Sequence, residues 1–170
     1  SVVVLQSAFS VQTAVAATTL DQQLSQATMA SAITITTAQQ QQIRQQQLRA
    51  ALVWHGASPW INAVTAGAKA EFAAMGVKVV AVTDAQFDPA KQAADIENIS
   101  MLKPDFILSL VVDAASVKGS YQKAVANGAR LVLLSNPIPG FVLNQHYAGI
   151  VTDDMFGMGR EAAKVLASYY

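Results

Sequence analysis

The sequence predicts an α/β fold with a doubly wound parallel sheet, and two features carry that prediction. Four short apolar runs recur along residues 49–154, with starts about 28, 28 and 24 residues apart, and a helical pattern follows each run. Runs of Val, Ile and Leu without polar alternation are typical of strands that crossover helices bury on both faces. Because βα crossovers are right-handed, the carboxyl ends of the strands meet at one edge, where such sheets bind small ligands.

The apolar runs and the turn residues place the elements in order. The predicted strands are 50–55, 78–83, 106–111, 131–135 and 148–151. The first helix between them ends at Gly76, which suits a left-handed cap, and the second begins at Asp88 with Pro89 in its first turn. A third helix follows Asp113, and the last begins at about Met155. Each helix has one apolar stripe, which predicts that this side faces a core.

The first residues of the chain have the composition of an export signal. Residues 1–17 are apolar and end in the small-residue pattern around Ala14 and Ala16, although the basic region and the initiator Met of a signal peptide are missing. This segment predicts a secretory signal, and export to the periplasm follows from it. The alternative is an apolar tail that docks on a partner.

Residues 18–48 form a glutamine-rich segment with two helix-start signals. The spacing T-x-x-Q, which allows a capping box, occurs at Thr19 and again at Thr37. It predicts one helix over about 20–30 and another over about 38–48. Glutamine is a fair helix former, and the second helix has few apolar anchors, so we expect it to pack loosely on the lobe or on a partner.

Composition limits the classes of function. With 170 residues, 52% of them hydrophobic, the chain supports one domain with its own core. Eleven basic residues balance eleven acidic ones, so no net field attracts nucleic acid or an anionic membrane. The lack of Cys excludes thiolate chemistry and disulfides, and two His cannot form a His-rich metal site. The apolar stretches are shorter than the roughly 20 residues that span a bilayer.

Motifs that would indicate catalysis do not fit their context. The stretch from Gly157 to Ala162 matches a dinucleotide pattern, but it lies inside a helix and does not directly follow a strand. Asp84 and Asp113 end two strands, as in a phosphoacceptor site, but Trp54-His55 occupies the place of the required acidic pair. We therefore expect no enzyme activity, no cofactor and no metal.

Four motifs at the strand ends together form a pattern that is specific enough to support comparison with a known family. They are an aromatic after Pro at Trp60, D-x-Q-x-D-P-A-K-Q from Asp84, an Asp after the third strand at Asp113, and the pair Asp153-Asp154 after the fifth. Residues 49–170 thereby resemble the first half of a type I periplasmic sugar-binding protein, of the ribose-binding-like group that serves ABC importers. Members of that family have two lobes, and the resemblance covers the first.

The resemblance and the composition together divide the chain into four parts. These are an apolar segment or signal remnant at 1–17, a Gln-rich helical lead-in at 18–48, an N-terminal α/β lobe at 49–154, and a helix leading towards an absent second lobe at 155–170.

The resemblance also implies which residues face a ligand at the strand ends. They are His55, Ser58, Trp60, Gln86, Asp113, Asn136 and Asp153. The residue types suit a sugar, because sugars present apolar C–H faces that stack on aromatic rings and hydroxyl groups that need hydrogen-bonding partners. Trp60 and Asp113 fit this chemistry best. The HGAS sequence at His55 departs from the usual Asn- or Ser-rich first loop, so the identity of the ligand does not carry over.

Each of these residues also has a structural alternative. Trp60 can be a surface or core aromatic at a helix start, and Asp113 can be the N-cap of the third helix, a role compatible with ligand binding. His55 can be a hydrogen-bonded structural residue. Asp153 and its neighbour can cap the last helix, and Asn136 begins a turn-rich segment that can simply bridge two strands.

The sequence thus predicts a binding protein without catalysis. Its expected ligand is a monosaccharide, polyol or similar small polar molecule, and its expected partner is the membrane permease of an ABC importer. The alternative is an accessory or sensory subunit that docks on a partner through residues 1–48. A sugar-responsive transcription regulator would need a basic helix-turn-helix ahead of the lobe, and residues 1–48 carry a single basic residue, so we expect no nucleic-acid partner.

Overall fold

The computed structural model describes residues 2–4 and 27–169, which form two compact units. The larger unit comprises 34–150, and the smaller one combines residues up to Ile33 with those from Val151 onward. The elements are β1 (Val2–Val4), β2 (Thr28–Met29), a 3-10 turn (Ala30–Ala32), α1 (Thr37–Gln45), β3 (Arg49–Trp54), α2 (Pro59–Ala74), β4 (Lys78–Asp84), α3 (Pro89–Met101), β5 (Phe106–Ser109), α4 (Ala114–Ala126), β6 (Arg130–Leu134), β7 (Gly149–Asp153) and α5 (Met155–Ala167).

Four parallel strands form the sheet of the larger unit in the order β4-β3-β5-β6. Val53 in the central strand β3 lies beside Thr83 of β4 and Ser109 of β5. The chain returns to this sheet where the Ala148 amide donates to the Leu131 carbonyl over 2.7 Å, at the start of β7. Strand order and direction confirm the predicted doubly wound α/β fold, and they bring the carboxyl ends of the strands to one edge.

The core of the larger unit is centred on β3, whose residues Ala50–Val53 are fully buried. On one face α3 and α4 contribute Ile96, Val117 and Tyr121, all without exposed surface. Ser109 is a buried polar residue of this core. Its hydroxyl bonds to the Val53 carbonyl over 2.9 Å and to the Tyr121 hydroxyl, so the polar group is satisfied where water is excluded.

Helix α1 begins one residue earlier than predicted. The capping box uses Thr36 and Gln39, since the Gln39 amide donates to the Thr36 hydroxyl at 3.3 Å and the Thr36 amide to Gln39 Oε1 at 2.8 Å. Two consecutive threonines each have Gln three positions on, so the sequence allows both frames. Arg44 of α1 donates to the Ala74 carbonyl at the end of α2, which anchors the glutamine-rich helix there.

The smaller unit contains two strands, β1 and β2, that the sequence analysis did not predict, and β1 pairs antiparallel with β2 and with β7. Val3 of β1 pairs with Met29 of β2 and with Thr152 of β7. The helix expected over about 20–30 lies largely outside the described residues, and its described end is wrong because 28–29 form β2. β-branched Val runs serve equally in strands and in apolar signal segments, which explains why the composition of 1–17 did not indicate β1.

Helix α5 also departs from the sequence prediction. Its apolar stripe was expected to face a core, but Met158, Val165 and Tyr169 are 63%, 60% and 80% exposed. Helical periodicity shows that one side of a helix is apolar, but it does not show what covers that side. None of the described helices is both long enough and apolar enough to cross a membrane.

Candidate ligand-binding site

Six of the seven predicted site residues lie at the strand-end edge of the larger unit. They are His55, Ser58, Trp60, Gln86, Asp113 and Asn136. The loops after β3, β4, β5 and β6 supply them, and parallel strands bring these loops to the same edge. The seventh, Asp153, is the half-buried last residue of β7 in the smaller unit.

The loop after β3 exposes Trp60 through a regular helix start. Ser58 is the N-cap of α2, and its hydroxyl accepts a hydrogen bond from the Ile61 amide over 3.1 Å. Pro59 occupies the first turn, where its missing N–H costs nothing. Trp60 follows and is 46% exposed, which excludes the core alternative and leaves part of the indole available for stacking.

Asp113 caps α4, as its structural alternative proposed. The Ser116 amide donates to Asp113 Oδ2 over 2.9 Å, and the Ser116 hydroxyl bonds to the same oxygen. These bonds, first that of the hydroxyl and then that of the amide, lower the pKa of the Asp113 carboxyl, so it is ionised at neutral pH. Both bonds end on Oδ2, and the side chain remains exposed, so the carboxylate can still accept a bond from a ligand hydroxyl.

The turn after β4 is strained and tied to the neighbouring loop. Gln86 and Phe87 have φ values of 54° and 61°, in the left-handed region that is unfavourable for residues other than Gly. Two bonds offset this cost. The Gln86 amide donates to Asp84 Oδ1 over 2.8 Å, and the Phe87 amide donates to the His55 carbonyl over 2.6 Å. The conformation leaves the Gln86 side chain exposed at the edge.

Phe87 is a candidate site residue that the sequence analysis missed. It is 62% exposed, and its ring packs edge-on to His55 with centroids 4.8 Å apart and planes at 80°. The ring lies over Gly56, since a Cβ there would come within 2.4 Å of it. The available signal was an aromatic residue inside the polar turn motif D-x-Q-x-D. Phe87 therefore adds a second exposed aromatic ring to the strand-end edge.

His55 has a partly buried ring beneath this aromatic contact. Burial lowers the pKa of His55, while the nearby Asp84 carboxylate raises it less, so the imidazole is neutral at pH 7. Among the described residues, its Nδ1 is one of three buried side-chain nitrogen or oxygen atoms without a hydrogen-bond partner. The other two, Trp54 Nε1 and Thr83 Oγ1, also lie at the ends of β3 and β4. Such groups are uncommon in folded proteins, and here they cluster beside the candidate site.

Asn136 begins a loop that folds on itself. The backbone amide of Asn136 donates to the Leu134 carbonyl over 2.7 Å, and the Asn136 side chain is exposed. Farther along, Phe141 and His146 stack with centroids 4.9 Å apart, and His146 Nδ1 accepts from the Val142 amide over 2.9 Å. The loop thus has its own internal structure, and Asn136 lies where this loop leaves the strand-end edge.

The described residues offer no metal site. They also form a groove that lies away from the strand-end edge. They include no cluster of three or more potential metal ligands. A groove of about 330 Å³ lies between the carboxyl-terminal halves of α3 and α4 and is lined by Glu97, Ser100, Met101, Ser120, Lys123 and Asn127. These helix ends point away from the carboxyl ends of the strands, so this groove is separate from the candidate site.

Fold and strand-end chemistry together define a lobe that presents aromatic and polar side chains to a small molecule. Residues 49–170 match the family model described as a periplasmic binding protein domain. The chain therefore belongs to the periplasmic binding protein family. Proteins of this family bind solutes without transforming them, in agreement with the expectation that the chain is not an enzyme.

Solved structures support the fold. An ABC transporter solute-binding protein from Mycobacterium smegmatis with bound glycerol is 28% identical, with a TM-score of 0.51 over 55% of this chain and 32% of that one. A sugar-binding protein of a sugar ABC transporter from Bacillus halodurans is 20% identical, with a TM-score of 0.60 over 72% of this chain and 41% of that one. A Mycobacterium smegmatis structure in complex with β-D-fucofuranose is 22% identical, with a TM-score of 0.62 over 72% and 40%.

The chain spans between 32% and 41% of the length of these three proteins. The search of curated protein sequences found no match. The comparisons thus establish the family and the lobe fold, and the ligand has to be inferred from the strand-end residues themselves.

Proposed function

We propose that this lobe contributes half of a binding site for a small neutral polyhydroxyl molecule, a monosaccharide or polyol, in a protein that delivers it to an ABC importer. The observation that supports this most is the exposure of Trp60 and Phe87 at the edge where the Asp113 carboxylate lies. Aromatic rings suit the C–H face of a sugar, and a carboxylate oxygen accepts bonds from its hydroxyl groups.

The other residues of the edge complement this chemistry. The side chains of Gln86 and Asn136 can both donate and accept hydrogen bonds, and a sugar hydroxyl needs partners of both kinds. The unpaired Nδ1 of His55 is buried, so His55 contributes to this edge through the edge-on contact of its ring with Phe87. The importer role is supported by the family and by the solute-binding proteins of ABC transporters among the similar structures.

Trp60→Ala is expected to weaken sugar binding about fivefold, because the loss of aromatic stacking costs about 1 kcal/mol. The measurement is an NMR titration of the 170-residue chain with D-ribose and with myo-inositol, at concentrations high enough for millimolar affinities. Chemical-shift changes are expected at Gly56, the Trp60 indole, the Gln86 side-chain amide and Asp113.

The matched control is Met101→Ala, which removes an exposed apolar side chain at the far end of α3 and should leave the titration unchanged. Shift changes that cluster in the groove between α3 and α4, or equal affinity of the Trp60 variant and the native chain, would contradict the proposed site. Binding of neither compound would favour an accessory or docking role over solute delivery.

Export is a separate part of the proposal. If residues 1–17 belong to a signal peptide, the mature protein purified from its native host should lack most of residues 1–16. Intact-mass spectrometry measures this directly. A mature protein that retains this segment would instead favour a docked tail, with β1 paired to β7 as part of the working protein.

A further inference from the structure

Gln92 is a buried polar side chain in the first turn of α3. It has no exposed surface, and both ends of its amide are hydrogen-bonded. Nε2 donates to the Leu110 carbonyl over 3.0 Å, and Oε1 accepts from the Val112 amide over 2.8 Å. Because both the nitrogen and the oxygen of the buried amide have a partner, neither atom bears the full desolvation cost of an unsatisfied group. The two bonds connect α3 to the segment that follows β5.

That segment determines where Asp113 lies. The Leu110 amide still donates to the Val53 carbonyl of β3 over 3.1 Å. Leu110 is therefore bonded to the sheet through its amide and to Gln92 through its carbonyl. Val112, held by the other end of Gln92, is the residue directly before the N-cap Asp113. The path from the end of β5 to the start of α4 is therefore fixed by a side chain from the preceding βα unit.

We propose that Gln92 is a positioning residue of the candidate site, which fixes the 110–112 turn so that Asp113 is presented at the strand-end edge. The inference rests on the proposed function for its meaning, but the positioning can be measured without any ligand. Gln has the required chemistry because the bond to Leu110 needs a donor and the bond to Val112 needs an acceptor. Asn has the same groups on a stem one methylene shorter, and Met has the length without the groups.

The decisive variant is Gln92→Met, which keeps a similar side-chain volume and removes both bonds. Two NMR measurements on the 170-residue chain report on position. The first is the pKa of the Asp113 carboxyl, which the Ser116 bonds hold below its ordinary value and which should rise towards that value when the turn relaxes. The second is amide hydrogen exchange at Val112, which should become about tenfold faster on loss of its bond.

The matched control is Ile99→Ala, a buried apolar residue on the same helix that does not bond to the turn. It lowers global stability but should leave both the Asp113 pKa and the relative exchange of Val112 unchanged. Gln92→Asn serves if the Met variant does not fold. It keeps the amide donor and acceptor on a stem one methylene shorter, so both bonds are weakened and a smaller change in the same direction is expected.

The proposal is overturned if neither the Asp113 pKa nor the relative exchange of Val112 changes more in Gln92→Met than in Ile99→Ala, because Gln92 would then act on stability alone. A D-ribose titration separates this result from the proposed function. If ribose binds, Gln92→Met should weaken binding, and adding it to Asp113→Ala should cause no further loss, whereas an additive loss overturns the proposal. If ribose does not bind, the pKa and exchange data still decide the positioning role, and only the proposed ligand class fails.

Discussion

Tyr121→Ala is expected to lower the free energy of unfolding by about 3–5 kcal/mol, a large part of the 5–15 kcal/mol that typically stabilises a domain. Tyr121 is among the largest fully buried side chains, and it joins α4 to the sheet through its ring and through the hydroxyl contact with Ser109. Its removal leaves a cavity against the central strands. Urea denaturation followed by circular dichroism measures the change.

Tyr121→Phe is the matched control, because it keeps the ring and removes only the hydroxyl. Ser109 retains its bond to the Val53 carbonyl, so the expected cost is about 1 kcal/mol. Comparable losses for the two variants would contradict the cavity argument.

Alkaline pH provides a second comparison between the native chain and Tyr121→Phe. Burial raises the pKa of Tyr121 above the value of about 10 that it has when unfolded, while its bond with Ser109 lowers the pKa less. The phenol therefore contributes stability that is fully present below pH ~10 and is lost as the pH rises towards the folded-state pKa. Tyr121→Phe should lack the part of the stability loss at alkaline pH that comes from ionisation of Tyr121.

The 170-residue chain itself is expected to bind sugars more weakly than about 1 mM, which corresponds to roughly −4 kcal/mol or less favourable. Deep sites commonly bury about 70–90% of a small ligand, whereas one lobe leaves the side opposite Trp60 and Asp113 open to water. Each exposed hydrogen bond contributes about 1 kcal/mol, and the loss of translational freedom costs several. A version with a second lobe could reach micromolar affinity. Calorimetry against pentoses, hexoses and polyols is the measurement.

Trp60→Ala is the control for this prediction as well. Micromolar binding by a monomer of this chain that persists in the Trp60 variant would contradict both the half-site argument and the assignment of Trp60. Micromolar binding that is lost in the variant would keep the residue assignment and contradict only the need for enclosure.

The sequence was sufficient for the strands of the larger unit because a doubly buried strand is locally apolar. It was less informative about where a strand ends. The third strand was expected to reach 111 but ends at Ser109, because Gln92 takes the Leu110 carbonyl and the Val112 amide that would have extended the ladder. A side chain 18 residues away from Leu110 makes the first of these bonds, and no local pattern reveals it.

The candidate site likewise combines residues that the sequence reveals with one that only the folded structure reveals. The location of Trp60 and Asp113 at the strand-end edge was predictable because each follows a strand in a motif with chemical meaning, and their part in binding stays a proposal. Phe87 was missed because its role depends on a left-handed backbone and on the space above Gly56, which only the folded chain shows. The helical stripe of α5 was visible in the sequence, but its exposure was not, since exposure depends on what surrounds the helix.

The helix caps at the strand-end edge affect which charge the proposed site would tolerate. Helix N-termini normally attract anions through their free amides and their dipole. Here Asp88 and Asp113 already occupy the free amides of α3 and α4 with carboxylates, the neutral Ser58 caps α2, and Asp84 adds a third negative group nearby. The adjoining loops 55–58, 85–88, 110–113 and 135–136 contain no Lys or Arg. At the proposed site a phosphorylated sugar or a sugar acid would therefore meet repulsion, so we expect that site to favour neutral solutes by charge before any hydroxyl pattern is compared.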